Sequence, residues 1–321
     1  MDLIWKHFKK NTRFANLFSN LEKLWKSGYE EGYTTIKGAK IYYKLFKAKD
    51  EYAKLLCLAG GPGGSHDYIL PYANLSQRGI TTLFYDQYAS GRSEETPDYM
   101  SRFTVDYYVD EVETVRDHFW ATERVFLVGH SWGAILGYAY ALKYQEHLKG
   151  LIASSGLTSV KAYLANVNRL RSELPSEVQE TLAKAEREND TTSEAYQKAV
   201  AEFNRKHVLQ VEPWPEEAVL TGKYLFERKP YVAIQGPNEF SVTGTMKNFE
   251  ITDQLSKIKI PTLITCGRFD EAGPPVAEPI HEKISGSELV VFDKSSHMLM
   301  WESQAEDYLN TIESFIKKHS R

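Results

Sequence analysis

The stretch Val128–Gly133, with the sequence VGHSWG, places a serine between two glycines directly after an apolar run that is typical of a buried strand. A sharp turn from a strand into a helix brings backbone close to its central residue, so the flanking positions must be small. Such a turn exposes the serine Oγ and points the N-terminus of the following helix toward it. We therefore predict that Ser131 is a nucleophile; the alternative is a glycine-bounded turn with an incidental serine.

A serine hydroxyl needs two partners before it attacks a carbonyl near neutral pH. One is a base within hydrogen-bond reach, and the other is a carboxylate that orients this base. On a strand–turn–helix nucleophile of this type, the acid and the histidine follow the serine in that order. Asp270 and His297 each follow a late strand-like run. We predict Ser131, Asp270 and His297 as a catalytic triad, because the competing acid Asp293 is too near His297 in sequence.

A second glycine-rich stretch, Ala59–Gly64, follows the early apolar run 55–58. Attack on a carbonyl places negative charge on its oxygen, which two preorganised backbone N–H groups stabilise. We predict that Trp132, the residue after the serine, and Gly61 supply these donors, since Pro62 has no N–H. A dinucleotide-binding loop is the competing interpretation, but its glycine spacing is different.

The elements that must position these residues follow from the pattern of the chain. Short strand-like runs alternate with longer helical patterns, which predicts an α/β fold with a mostly parallel, twisted sheet flanked by helices. Strands are predicted at 55–58, 80–85, 125–128, 151–153, 262–266 and 289–292. The run 41–46 predicts one arm of an antiparallel hairpin at the start of the sheet. The predicted triad then lies at the carboxyl ends of the strands.

The strand pattern stops between residues 158 and 246 and resumes after Pro261. An insertion explains this better than a separate domain, since the last strands need the first ones as neighbours. We predict a helical cap at 158–246, called the cap segment below, between two parts of one core at 29–157 and 247–321. Residues 1–28 are predicted to be an amphipathic helical extension that packs on the body, with a membrane-surface or oligomer contact as the alternative.

Composition limits the partners and the location. The 321 residues have a formal net charge of −4 with dispersed charges, so no basic stripe suggests nucleic acid. The two cysteines, Cys57 and Cys266, lie in apolar runs and are predicted to be buried thiols. No apolar run reaches transmembrane length, and the N-terminus lacks a signal-peptide pattern, so a cytoplasmic location is expected.

Four motif blocks together resemble a known family. They are Gly60–Gly63, Asp86–Ser93, Gly129–Gly133 and Gly236–Phe240. In this order they are similar to those of the α/β-hydrolase fold and, within it, of the proline iminopeptidase family of serine aminopeptidases, with most similarity to the tricorn-interacting aminopeptidase branch. The resemblance implies the same triad and oxyanion donors, short peptides or aminoacyl amides as substrates, and chemistry that needs no cofactor or metal.

By the same resemblance, Glu239 and Glu271 match the family carboxylates that bind the free α-amino group of the substrate. A charged amine held between two carboxylates gives a strong contact that defines the position of the chain end. The alternative for each glutamate is a solvated or cap-anchoring side chain. One departure is Ala59, where family members usually have histidine. It removes a side chain from the oxyanion loop and keeps the backbone donors.

Several neighbouring residues have weaker signals. Asp86 and Arg92 are predicted to form a local ion pair that shapes a loop, rather than part of the active site. His130 is predicted to support the serine turn, and His66 is a candidate for the pocket wall. The aromatic candidates for an apolar pocket are Trp132, Tyr138, Trp214, Tyr224 and Phe226.

Three functions fit these residues. The first is a serine exopeptidase that releases an N-terminal residue, often proline, from short peptides. The second keeps the triad and changes the substrate, giving an amino-acid amidase, an esterase or a hydrolase of a specialised metabolite. The third is a binding protein on a hydrolase fold, against which the complete triad argues. The fold alone does not choose among them.

Overall fold

A computed structural model of the chain describes residues 28–188 and 190–320. Within them, eight strands form one sheet in the order β1-β2-β4-β3-β5-β6-β7-β8. The strands are β1 (Glu30–Ile36), β2 (Ala39–Phe46), β3 (Ala53–Leu58), β4 (Ile80–Tyr85), β5 (Val125–His130), β6 (Leu148–Ser154), β7 (Thr262–Gly267) and β8 (Glu288–Phe292). The β1–β2 and β2–β4 pairs are antiparallel and the other neighbours are parallel. The predicted mostly parallel sheet with a hairpin at its start is confirmed.

Helices cover both faces of the sheet. The α-helices of the described residues are α1 (Val105–Trp120), α2 (Trp132–Tyr144), α3 (Val160–Ser172), α4 (Ser176–Glu188), α5 (Glu194–His207), α6 (Glu216–Glu227), α7 (Pro274–Lys283) and α8 (Ala305–His319). Two clusters of buried hydrophobic residues form the core, and strand β3 contributes side chains to both. Its Leu56 packs in the core that contains Val112 of α1, and Leu55 and Cys57 pack in the core that contains Ile312 of α8. Burial on both faces explains why β3 is a continuous apolar run.

Helices α3 to α6 lie in the cap segment, between β6 and β7 in the chain. Strands β6 and β7 are nevertheless neighbours in the sheet, so the insertion leaves one strand and returns to the next. The first of these helices begins after Ser159, whose Oγ accepts a hydrogen bond from the N–H of Ala162 at 3.2 Å. The division into 29–157, 158–246 and 247–321 stays a prediction.

Two other sequence expectations concern the ends and the thiols. The predicted N-terminal extension lies outside the described residues, apart from Gly28. Cys57 and Cys266 are both buried and free, as predicted. None of the helices in the described ranges is long and apolar enough to span a bilayer.

The topology brings four loops to one edge of the sheet. Parallel strands end on the same side, so the segments after β3, β5, β7 and β8 converge there. These segments contain the glycine loop, Ser131, Asp270 and His297 respectively. The sheet therefore gathers residues that are far apart in sequence.

Candidate active site

Ser131 is the single residue between β5 and α2. Its φ of 56° and ψ of −121° are sparsely populated for a non-glycine residue, as in a strained turn. A Cβ on Gly129 would overlap the carbonyl oxygen of Gly133, and a Cβ on Gly133 would overlap that of Leu58. Both glycines are therefore steric requirements of the turn that presents Ser131.

His297 and Asp270 form a buried pair beside this turn. The Nδ1–H of His297 donates to Asp270 Oδ1 at 2.8 Å, and the same oxygen accepts from the N–H of Ala272 at 2.8 Å. Burial by itself would raise the pKa of Asp270, but His297 and the other donors hold it below its usual value. Burial would lower the pKa of His297, but the surrounding carboxylates, with Asp270 first, raise it to about 9.

The remaining nitrogen of His297, Nε2, is the one available to a nucleophile. Ser131 and His297 line the same cavity. The hydrogen bonds of the described residues do not include one between Ser131 Oγ and His297. Catalytic hydrogen bonds are often long in a free enzyme and tighten when substrate binds, so this arrangement is compatible with a nucleophile and its base.

His130 connects three loops of the site. Its Nε2–H donates to the carbonyl oxygen of His297 at 2.9 Å, so its Nδ1 accepts from the Tyr68 hydroxyl at 2.7 Å. The Tyr68 oxygen in turn accepts from the N–H of Gly60 at 2.7 Å. Burial, with His297 nearby, lowers the pKa of His130 to about 3, so the ring is neutral. His130 thus supports the serine turn, as predicted. The role of Tyr68 was not predicted, because no motif in the sequence marks it.

Gly61 and Trp132 line the same small pocket as Ser131. Among the backbone hydrogen bonds of loops and turns in the described residues, none has either N–H group as its donor, which is compatible with the predicted role of both as oxyanion donors. Gln87 fixes the surroundings of both: it donates to the Ala59 carbonyl at 2.8 Å and accepts from the Trp132 indole at 2.9 Å. The sequence analysis found the motif block containing Gln87 but not this role.

The cap segment packs directly on the glycine loop. Thr221 of α6 lies 3.0 Å from the Ser65 hydroxyl, oxygen to oxygen. A side chain at Gly61 would meet Leu225 of the same helix, and one at Gly63 would meet Pro230. The oxyanion loop therefore has the cap segment as one of its walls.

Glu239 and Glu271 line the cavity together with Ser131. The hydroxyls of Tyr231 and Tyr163 donate to the two oxygens of Glu239, at 2.6 Å and 3.1 Å. Glu271 is 3% exposed, and its Oε2 has no hydrogen-bond partner among the described residues. Burial and then the nearby Glu239 carboxylate raise the pKa of Glu271 well above its usual value. A cationic group would satisfy both carboxyls.

The cavity has a volume of about 220 Å³ and a largely apolar wall from the cap segment. Two predicted aromatic residues, Trp214 and Phe226, line it. Trp132 lines a smaller adjoining space of about 20 Å³. The expectation for Tyr138 and Tyr224 is wrong: Tyr138 is buried in the core, and the Tyr224 ring lies against the guanidinium group of Arg92, 5.5 Å from its centre.

A second buried Asp–His pair joins Asp86, just after β4, to His66, between β3 and β4, and neither residue lines the cavity. Asp86 Oδ1 is 2.8 Å from His66 Nδ1, and Asp86 Oδ2 is 3.4 Å from Arg92 Nη1. Arg92 also forms two hydrogen bonds with the carboxylate of Asp67, at 2.8 Å and 2.9 Å. The predicted local ion pair is therefore present, and His66 belongs to this cluster and not to the pocket wall.

Comparisons with known proteins agree with this fold. Residues 54–304 match the α/β hydrolase fold family, so the chain is an α/β hydrolase. It is 46% identical over 290 residues to a proline iminopeptidase of Thermoplasma volcanium, covering 90% of this chain and 97% of that one. It is 45% identical over 287 residues to a proline iminopeptidase of Saccharolobus solfataricus, covering 89% and 92%. The crystal structure of the Mycobacterium smegmatis proline iminopeptidase superposes with a TM-score of 0.86 at 28% identity, covering 91% and 99%.

The chain belongs to the proline iminopeptidase family. It is a hydrolase, as predicted. Assignment to the tricorn-interacting branch of this family stays a prediction.

Proposed function

We propose that this protein is a serine aminopeptidase that releases the N-terminal residue, often proline, from short peptides through a Ser131–His297–Asp270 triad and an acyl-enzyme. One observation supports this most strongly. His297 of the buried His297–Asp270 pair, a serine in a strained turn and the carboxyl groups of Glu239 and Glu271 line one cavity. The expected cytoplasmic location stays a prediction, which fractionation of expressing cells would test.

In the proposed reaction the same residues act first in acylation of Ser131 and then in hydrolysis of the acyl-enzyme. Ser131 Oγ attacks the carbonyl carbon of the first residue while His297 Nε2 takes the hydroxyl proton. The N–H groups of Gly61 and Trp132 stabilise the oxyanion. His297 then gives the proton to the departing amine, and water hydrolyses the acyl-enzyme by the same steps in reverse. Asp270 holds the imidazole ring and stabilises its charged form.

Glu239 and Glu271 are proposed to select a chain end. A protonated α-amino group between them makes charge-assisted hydrogen bonds that an internal or acetylated residue cannot make. The ammonium group then places the first carbonyl next to Ser131. This role concerns position and not bond cleavage.

The test neutralises each carboxylate separately. In Glu239→Gln and Glu271→Gln, free-amine aminoacyl amides should lose about ten- to a hundredfold in kcat/KM, because a charge-assisted contact contributes about 1.5–3 kcal/mol. Acetylated substrates never make the contact, so their low rates should stay or rise. Glu278→Gln, at an exposed position on α7, is the matched control and should change neither rate.

Other outcomes separate the alternatives. Equal slowing of both substrate types would assign the two glutamates to the fold or to the triad, and the aminopeptidase proposal would lose its main support. Turnover of simple esters without turnover of free-amine amides would favour the amidase, esterase or metabolite hydrolase. No turnover, together with no reaction with a serine-directed phosphonate, would favour a binding protein.

A further inference from the structure

His297 lies between two acidic groups and not one. Its Nδ1 is hydrogen-bonded to Asp270, and its Nε2 is 3.9 Å from Glu271 Oε1. Glu239 adds a further carboxyl from the cap segment, and the neutral ring of His130 lies 4.7 Å away, centre to centre. The Tyr163 hydroxyl, on α3, is directed to Glu239. His297 therefore faces acidic groups on both of its ring nitrogens.

This environment favours a proton on the ring or on its neighbour. His297 is 6% exposed and Glu271 is 3% exposed, so water does little to stabilise an isolated carboxylate there. A proton on Nε2 or on Glu271, whose oxygen is 3.9 Å away, offsets one negative charge in the cluster. Asp270 first, and then Glu271, raise the pKa of His297; burial and Glu239 raise the pKa of Glu271, which His297 lowers, so the two groups titrate together.

The same proton obstructs catalysis. Nε2 must be unprotonated to accept the proton of Ser131, and it is the only nitrogen of His297 that is not bound to Asp270. A proton on Nε2 therefore blocks the base of the free enzyme. A cation that replaces the proton near Glu271 would free the base without leaving the carboxylate uncompensated.

We propose that the substrate's own ammonium group performs this replacement: when it binds between Glu239 and Glu271, a proton held on His297 Nε2 beside Glu271 leaves to solvent and His297 becomes a base. This inference rests on the proposed aminopeptidase function and goes further, since it makes Glu271 a control on the base as well as a binding group. Charge and atoms balance in this step. One positive charge enters with the amine, one proton leaves to water, and no bond other than N–H or O–H changes.

Proton release on binding tests this directly. Ser131→Ala should bind a peptide with N-terminal proline without cleaving it, and titration calorimetry in buffers of different ionisation enthalpy counts the protons released. At pH 7.5 we expect about one proton per free-amine peptide. With Glu271→Gln added, release should fall to well below half a proton, and with Glu278→Gln added it should not change. Measurable binding with no proton released would overturn the proposal.

A kinetic measurement on otherwise unaltered enzyme does not depend on the Ser131 variant. With a neutral ester, kcat/KM should rise with pH through the raised pKa of His297, since only the unprotonated ring is active. Glu271→Gln should move this acid limb down by about one pH unit or more, because an opposite charge near the imidazole is removed. Glu278→Gln should leave the limb in place. An unmoved limb in Glu271→Gln would contradict the proposal.

The free-amine substrate gives the complementary result. Its kcat reports the enzyme with the amine site filled, so the acid limb of kcat should lie at least about one pH unit below that of kcat/KM. If the two limbs coincide while the amide is hydrolysed, this inference fails and the aminopeptidase function stands. If no free-amine amide is hydrolysed at all, the proposed function fails first.

Discussion

Two Asp–His pairs in this protein have the same hydrogen-bond distance but differ in the groups that surround them. The distance from Nδ1 to Oδ1 is 2.8 Å in both Asp86–His66 and Asp270–His297. In each pair the aspartate follows a parallel strand of the sheet and both side chains are buried. A search for Asp–His hydrogen bonds alone would rank the two pairs equally.

The difference lies at the other ring nitrogen and the other carboxylate oxygen. His66 Nε2 is buried without a hydrogen-bond partner in the described residues, and its ring lies 5.4 Å from that of Tyr42. Asp86 Oδ2 is occupied by Arg92. His297 Nε2 instead faces Glu271 and a cavity that contains Ser131. The pair with an accessible second nitrogen fits a catalytic base, and the closed pair fits a loop anchor.

Replacing each histidine should give the largest contrast. His297→Gln should lower kcat by about 10⁴- to 10⁶-fold, as loss of a catalytic base does in serine hydrolases. His66→Gln should keep kcat within about tenfold and lower the free energy of unfolding by about 1–3 kcal/mol, since Asp86 loses a buried partner. Active-site titration and urea unfolding of both variants measure this. Similar kcat losses in the two variants would remove the distinction.

Replacing each aspartate should give a smaller but parallel contrast. Asp270→Asn should lower kcat by about 10⁴-fold, because the imidazole loses the group that orients it and stabilises its charge. Asp86→Asn should cost about 3 kcal/mol of unfolding free energy, because Arg92 is left partly uncompensated, with kcat changed less than tenfold. Steady-state rates and thermal melts check both. A stable but inactive Asp86→Asn would assign the second pair to the reaction.

The smallest expected effect comes from the connection between the glycine loop and the catalytic histidine. Tyr68→Phe removes the hydroxyl that accepts from Gly60 and donates to His130. We expect kcat to fall about three- to tenfold, for about 1 kcal/mol of hydrogen bonding, with KM little changed. Rates with a small ester and a peptide amide should fall alike. An effect on KM alone would place Tyr68 in substrate binding.

The sequence predicted β3 to β7 well because these strands are largely buried on both faces, whereas β1, which is polar and mostly exposed, was not predicted. It also placed Ser131, Asp270 and His297 at one edge, since parallel strands end on the same side. The residues that hydrogen-bond to the site loops could not be predicted from the sequence. Gln87 touches Ala59 because β4 lies beside β3, and sequence order does not determine that adjacency. The same limit explains the errors at His66 and Tyr224, whose neighbours are set by contacts between distant loops.

The packing of α6 on the glycine loop matters for anyone who wishes to change the substrate preference. A randomised library at Leu225 or Thr221 would alter the apolar wall that receives the substrate and, at the same positions, the support of the backbone near Gly61. A mutation at either position is therefore expected to change substrate selectivity and catalytic rate together. Trp214 and Val200 also line the cavity, but neither is among the nearest neighbours of the glycines in the loop 60–64. Mutations at these two positions should therefore change selectivity with a smaller loss of rate.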